Sequence, residues 1–367
     1  MMTMDVQKIL DRHVAAGTAP GIVVADGDAA GRLEILSSGD LAPDSVVRIQ
    51  SMTKPVLAVA TLRMVQDGRL DLDAPVQQWI PELADRLVLR TPQSALDDVV
   101  PAESPITVRH LLTNTSGYGM TTARGPLQDA MKRNRTQAGQ DPVELGAQDW
   151  LDALAELPLM FQPGEGWRYH HSFGILGILL ARIADRPLPD LLADEIFDPL
   201  GMTDTGHSVP RQDAHRLPAA YRHDGTGALV EMEPAGDGFY LAPAPFDLSH
   251  AELVSTAADY AAFARMLASG GRADDRIILQ PELLEQMRTD RVPARLKTPD
   301  SFFPGFWDGM GWGYGVAVQT TGPHQGRYGW SGGLGTDVYV DLDCSFRVIL
   351  TQVEMGAATM ALFADLA

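Results

Sequence analysis

The sequence predicts an α+β fold in which an antiparallel β-sheet, flanked by helices, is joined to a helical lobe. Three observations predict it: strand-like segments lie near both ends of the chain, helical periodicity fills the middle, and the helix after the N-terminal strands is apolar nearly all round. At 367 residues the chain exceeds what one hydrophobic core usually organises, so two intimately packed units are expected.

Taken in order, residues 4–16 carry apolar side chains at helical spacing, and residues 21–25 and 33–37 read as short strands around a Gly-Asp turn. After residues 46–49 comes the run 51–67, where Val56, Leu57, Val59, Ala60, Leu62, Met64 and Val65 leave no polar face, so this helix is expected to be buried. From Leu70 to about His250 the pattern is helical with Pro-rich loops, no convincing alternating strands and no internal repeat. Residues 134–142 and 237–249 read as the longest surface loops, and either could border a cleft. Beyond Glu252, a helix over 256–269 precedes strands over 311–320, 326–330, 336–341 and 346–353, and a last helix begins near Gly356. These segments assign residues 1–70 and 250–367 to a sheet domain built from both termini and residues 71–249 to a mostly helical domain. An active site is expected in the cleft between them.

Composition bounds the function. The net charge is −19 and only four lysines are present, a balance that repels phosphate backbones and anionic lipid surfaces, so no nucleic-acid or membrane partner is expected. Residues 1–10 lack an apolar signal segment, the single Cys344 rules out an internal disulfide framework, and the longest apolar run, residues 175–183, contains Arg182. A cytoplasmic protein is the expectation. His170 and His171 lack metal-ligand spacing, and the alternation of Gly311, Gly313 and Gly315 suits close strand packing better than phosphate binding, so neither a metal nor a cofactor is expected. Asn114-Thr115-Ser116 and Thr256-x-x-Asp259 take structural readings, the second as a capped helix start.

The chemistry-bearing constellation is Ser51-Met52-Thr53-Lys54, which opens the buried helix and puts serine and lysine on one face. A serine hydroxyl needs a base, and a lysine serves as one when burial and nearby positive charge lower its pKa. Pro55 suits a first helical turn, and the positive end of the helix dipole favours negative charge developing at Ser51. The plain alternative is that Ser51 caps the helix and Lys54 is solvated. Tyr169, in the turn entering the helix over residues 173–184, is either a core phenol or a proton shuttle made acidic by lysine. A competing serine, Ser331, sits in Gly329-Trp330-Ser331-Gly332-Gly333, which matches a nucleophile elbow, but His324 precedes it and a strand rather than a helix follows.

Together these residues resemble the serine β-lactamase and penicillin-binding superfamily, whose signatures are Ser-x-x-Lys, Tyr-x-Asn and Lys-Thr-Gly, and within it the family VIII carboxylesterases. The stretches 68–75, 106–117, 199–202 and 253–257 add to the likeness, which runs almost end to end. The resemblance implies a β-lactamase/transpeptidase-like fold, Ser51 as nucleophile, Lys54 as its base partner and Tyr169 as the second base that protonates the leaving alcohol. It further implies an oxyanion hole from the backbone N–H groups of Ser51 and Gly333, and substrate contacts from His171, Trp330, Ser331 and Gly332. His171 stands where β-lactamases carry asparagine, and Trp330-Ser331-Gly332 stands where they carry Lys-Thr-Gly. An indole there offers an apolar wall and one N–H donor instead of a cation for a carboxylate, which favours neutral esters with short acyl chains, although Arg168 or Arg327 could still bind a carboxylate. The expected activity is that of a serine carboxylesterase acting on a small-molecule ester. β-Lactamase or D-amino-acid peptidase action, acyl transfer to an alcohol, and a non-catalytic binding or sensing module are the alternatives.

Overall fold

The N-terminal amphipathic run folds as helix α1, Thr3–Ala15, and leads into strands β1, Gly21–Asp28, and β2, Leu33–Gly39. The computed structural model describes residues 3–121 and 124–367. A short strand β3, Val47–Gln50, feeds the buried helix α2, Thr53–Gln66; the second long apolar helix, α3, spans His171–Ala184. Strand β4, Leu253–Ser255, precedes helix α4, Ala257–Ala268. The C-terminal third supplies β5 (Met310–Trp312), β6 (Ala317–Gln319), β7 (Tyr328–Gly332), β8 (Thr336–Val340), β9 (Ser345–Leu350) and helix α5 (Ala357–Leu366).

Among the described residues, seven of these strands form one antiparallel sheet in the order β5-β6-β7-β8-β9-β1-β2, so C-terminal strands pair directly with N-terminal ones. Strand alternation divides its two faces. Ile22, Val24 and Ile349 enter a core with Val6 and Leu10 of α1 and Leu362 and Leu366 of α5, whereas Val23, Ala25 and Val348 join the main core with Tyr260, Ala261 and Ala264 of α4. Burying each large aliphatic chain contributes about 1.5–3 kcal/mol, so a one-residue slip that exchanged the faces is strongly disfavoured.

Two expectations are corrected. The segment 311–320 is the hairpin β5–β6 rather than one strand, because Gly315 turns the chain at φ +73 and any Cβ there would lie 2.8 Å from the Ala58 Cβ of α2. A Cβ on Gly313 would fall 1.9 Å from the Met287 carbonyl oxygen. These glycines serve close packing. The stretch 70–250 also holds strands: Leu87–Leu89 pairs with Val99–Pro101, and Ala220–His223 pairs with Leu229–Glu233. They are three to five residues long and partly exposed, too short for alternation to be read from sequence. The second hairpin bridges to Val353 through Tyr221.

One small ladder positions the site. Strand β3 pairs antiparallel with β4, Val47 opposite Ser255 and Arg48 opposite Val254, and an irregularity then shifts the register so that Gln50 faces Leu253. Continued one step, that register sets Ser51 beside Glu252.

Among the described residues, no helix is long and apolar enough to cross a membrane.

Candidate active site

Ser51 sits at an elbow between β3 and α2. Gln50 adopts a left-handed φ of +50, which costs a non-glycine residue roughly 1–2 kcal/mol and here swings the chain from the strand into the helix. The helix begins at Thr53 with Met52 at its cap position and no side-chain cap, so Ser51 is not the capping residue. Its hydroxyl has other partners. Lys54 Nζ donates to Ser51 Oγ at 2.8 Å, Ser51 Oγ donates to Glu252 Oε1 at 3.1 Å, and Lys54 Nζ donates to the same Oε1 at 2.9 Å. Thr53 Oγ1 accepts the Leu253 amide at 2.8 Å and fastens this corner of α2 to β4. The three functional groups close a triangle.

Glu252 is the residue that sequence reasoning missed. Its only signal was its place directly before the 253–257 stretch, and the ladder register brings it across 201 residues to Ser51.

The electrostatics follow from it. Burial is the largest influence on Lys54 and lowers its pKa, but the Glu252 carboxylate and the Tyr169 phenol outweigh burial, and the pKa ends above the ordinary lysine value. The expected lowering does not occur, because the partner that reaches the buried ammonium is an anion rather than a cation. Tyr169 is likewise held above the ordinary phenol range by burial, which outweighs the downward pull of Lys54. The resting site therefore carries an ammonium, a neutral phenol and a hydroxyl.

Tyr169 lies where expected, with Lys54 Nζ 4.9 Å from the centre of its ring. Its backbone is fixed on one side by the Met120 amide, which donates to the Tyr169 carbonyl at 2.8 Å. On the other side His170 takes φ +95, a second strained residue flanking a candidate catalytic group. Trp330 Nε1 donates to Tyr169 Oη at 2.5 Å, and its indole meets the Trp312 ring edge-on at 4.7 Å. The single N–H of Trp330 is thus directed at the tyrosine. Trp167 and Phe302 pack beside the phenol ring, and Phe306 packs on Trp330 behind them.

Gly332, at the end of β7, lies against the Ser51 elbow: a Cβ there would be 2.3 Å from the Ile49 carbonyl oxygen and 3.2 Å from the Gln50 Cβ. Gly333 follows it, its carbonyl accepting from Met355 at 2.8 Å and facing the Gln140 side chain.

Two residues expected to contact substrate have partners within the protein. Ser331 points to the sheet face opposite Trp330, because successive strand residues alternate, and its hydroxyl donates to Asp337 Oδ1 at 2.7 Å. Burial raises the Asp337 carboxyl to about 6. His171 is buried and donates from Nε2 to the Thr136 carbonyl at 2.7 Å while stacking on Trp150, so it anchors the 134–142 loop. Burial lowers its pKa to about 4, which leaves the ring neutral.

The arginines considered for carboxylate binding are both engaged. Arg168 pairs with Asp300 at 3.3 Å, and Arg327 grips Asp341 through two bonds of 2.8 Å. His170 and His171 diverge, their rings at 70°, and among the described residues no group of three or more His, Cys, Asp or Glu side chains is placed to hold a metal ion. Beside the triangle, Glu252 lines a cavity of about 320 Å³ that Gln50, Tyr240 and the 134–142 loop also border.

The chain is similar to known proteins along most of its length. The family model described as Beta-lactamase matches residues 6–358. An uncharacterized protein of Mycobacterium tuberculosis is 37% identical over 297 residues, covering 80% of this chain and 71% of the relative. Esterase EstB of Burkholderia gladioli is 29% identical over 331 residues, 84% of this chain and 77% of the esterase. Among solved structures, EstCE1, described as a hydrolase with promiscuous acyltransferase activity, superposes with a TM-score of 0.80 at 26% identity, covering 99% of this chain and 97% of that one.

Proposed function

The chain belongs to the beta-lactamase family, among its family VIII esterases and so among serine hydrolases with esterase and acyltransferase relatives, and from that premise we propose that it cleaves carboxylic esters through an acyl-enzyme on Ser51. Ser51 attacks the ester carbonyl, its proton passes into the hydrogen-bonded network that surrounds Lys54, and Tyr169 protonates the departing alcohol. Water then repeats the sequence on the acyl-enzyme. The observation that carries this reading is the 2.8 Å contact between Lys54 Nζ and Ser51 Oγ, with the Tyr169 ring directly beside the ammonium. The adjacency of Gly332 to Gln50 supports an oxyanion hole made by the amides of Ser51 and Gly333, donors aimed where charge develops.

Trp330, Arg168 and Arg327 bear on the substrate. An indole stands in the third motif, and the arginines are paired with Asp300 and Asp341, which favours a neutral ester over a β-lactam or a peptide carboxylate. The aromatic wall of Trp330, Phe302 and Tyr169 supports short acyl groups. Acyl transfer to an alcohol is the second reading, favoured by the likeness to EstCE1, a hydrolase with promiscuous acyltransferase activity, and differing only in whether an alcohol outcompetes water.

The test is direct. Purified protein is given p-nitrophenyl acetate and butyrate, a chromogenic cephalosporin and a phosphonate probe, and the adduct is located by mass spectrometry. Turnover of the esters with the adduct on Ser51 is expected. An adduct on Ser331, or cephalosporin hydrolysis faster than ester hydrolysis, would overturn the reading.

A further inference from the structure

We propose that Glu252 is a catalytic residue, the general base that receives the Ser51 proton. The proposal rests on the esterase reading and goes beyond the Ser51, Lys54 and Tyr169 set. Geometry carries it: one carboxylate oxygen, Oε1, accepts from both Ser51 Oγ at 3.1 Å and Lys54 Nζ at 2.9 Å. An ammonium has three donors and no acceptor, so a Lys54 paired with a carboxylate has no lone pair to take a proton from serine. The lone pairs of Glu252 are the acceptors that the Ser51 O–H meets.

The placement is built, not incidental. Lys54 and Arg48 are buried cations on α2 and β3, and they take different acids: Arg48 pairs with Glu233 and Lys54 with Glu252. The shift in the β3–β4 register selects Glu252 rather than its neighbours to face Ser51. The Glu252 side chain keeps 18% exposure, on the side of the 320 Å³ cavity.

The proton route closes. As the Oγ–carbon bond forms, the Ser51 O–H bond breaks, its proton passes to Glu252 Oε1, and the carbonyl electron pair moves onto the carbonyl oxygen. When the carbon–alcohol bond breaks, the alkoxide takes the Tyr169 proton, the phenolate is reprotonated by the Lys54 ammonium, and the Lys54 amine recovers a proton from the Glu252 carboxyl. Carboxylate, ammonium and phenol are restored. Water deacylates along the same route.

Two roles for Glu252 predict opposite outcomes. If it is the base, Glu252→Gln retains shape and hydrogen bonding but loses at least about 100-fold in kcat and in the rate of phosphonate labelling of Ser51, the scale of general-base loss. The pH profile of its kcat/KM also changes shape. If Glu252 only neutralises Lys54, the glutamine frees the lysine to deprotonate, and activity holds or rises. The groups facing this carboxylate are Lys54, Tyr169 and Tyr240; His170 and His250 line the cavity behind it with Lys132, Arg135, Asp141 and Glu144, so the pH profile is compared in Glu252→Gln and Glu252→Asp.

The decisive arm is Glu252→Ala with added formate. The cavity gives a small carboxylate access, and partial recovery of p-nitrophenyl acetate turnover, saturating in formate, is expected. Thermal unfolding of each variant checks that it is folded; a variant that does not fold leaves Glu252→Asp, expected to keep intermediate activity, as the comparison. Wild-type-like rates in Glu252→Gln, or no response of folded Glu252→Ala to formate, would overturn the proposal. A wild-type adduct away from Ser51 would instead overturn the esterase reading beneath it.

Discussion

The indole N–H of Trp330 donates to the hydroxyl of Tyr169 at 2.5 Å. A donor aimed at a phenol oxygen stabilises the phenolate that forms when the tyrosine gives up its proton. A hydrogen bond to a charged group contributes about 1.5–3 kcal/mol, equivalent to roughly 10–150-fold in rate. Trp330→Phe is therefore expected to lower kcat by that factor while KM changes by only a few-fold. Steady-state kinetics on p-nitrophenyl butyrate checks it, and an unchanged kcat would reduce Trp330 to a wall.

Removing the reacting groups themselves has larger effects. Ser51→Ala is expected to abolish turnover and phosphonate labelling, and Lys54→Ala and Tyr169→Phe each to lose roughly 1,000-fold or more in kcat, the scale seen when members of a catalytic unit are deleted. Double variants are expected to be scarcely worse than single ones, because the groups act together. Additive losses would show that they act separately.

Ser331 separates the two serines. Ser331→Ala is expected to keep ester turnover within a few-fold but to destabilise the fold by about 1–3 kcal/mol, since it leaves the half-buried Asp337 without its hydroxyl donor. Urea titration and kinetics on the same sample read both effects. Loss of turnover at wild-type stability would return Ser331 to the site.

Acid should destabilise the protein well before its ordinary carboxylates titrate. Burial lowers His171, His207 and His250 to about 4, whereas an unfolded chain protonates them near 6.5, so stability is lost as pH falls from about 6.5 to about 4. Asp337, raised to about 6, opposes this over nearly the same window by one proton. Burial lowers His170 and His110 as well and raises Asp259, so the histidine protons outnumber the carboxyl ones and stability is expected to fall with pH across this window. Denaturant midpoints measured between pH 7 and 5 check the sign, and a flat profile would contradict it.

Gly315 tests the junction between the hairpin and α2. At φ +73, alanine costs about 1–2 kcal/mol in backbone strain, and its Cβ would meet Ala58 at 2.8 Å and the Lys54 carbonyl oxygen at 2.9 Å. Gly315→Ala is expected to lower both the unfolding midpoint and kcat, because the displaced turn packs against the Lys54 backbone. A drop in stability with kcat untouched would show that the junction yields without moving the site.

The sequence by itself determined the elements with strong local signals: α1 and the apolar helices α2 and α3, the strand pairs at the two ends, and the Ser51, Lys54 and Tyr169 motifs at recognisable spacing. Side-chain periodicity and short-range spacing are local properties, and a buried helix declares itself by lacking a polar face. Tertiary structure decided what depends on long-range register. A one-residue shift in the β3–β4 ladder puts Glu252 beside Ser51 and reverses the expected effect on Lys54 from lowering to raising. Strand alternation turns Ser331 toward Asp337 and Trp330 toward Tyr169, and the fold of the 134–142 loop claims His171 for Thr136. A pKa depends on which charge arrives at a buried group, and that is set by chain segments about two hundred residues apart in sequence.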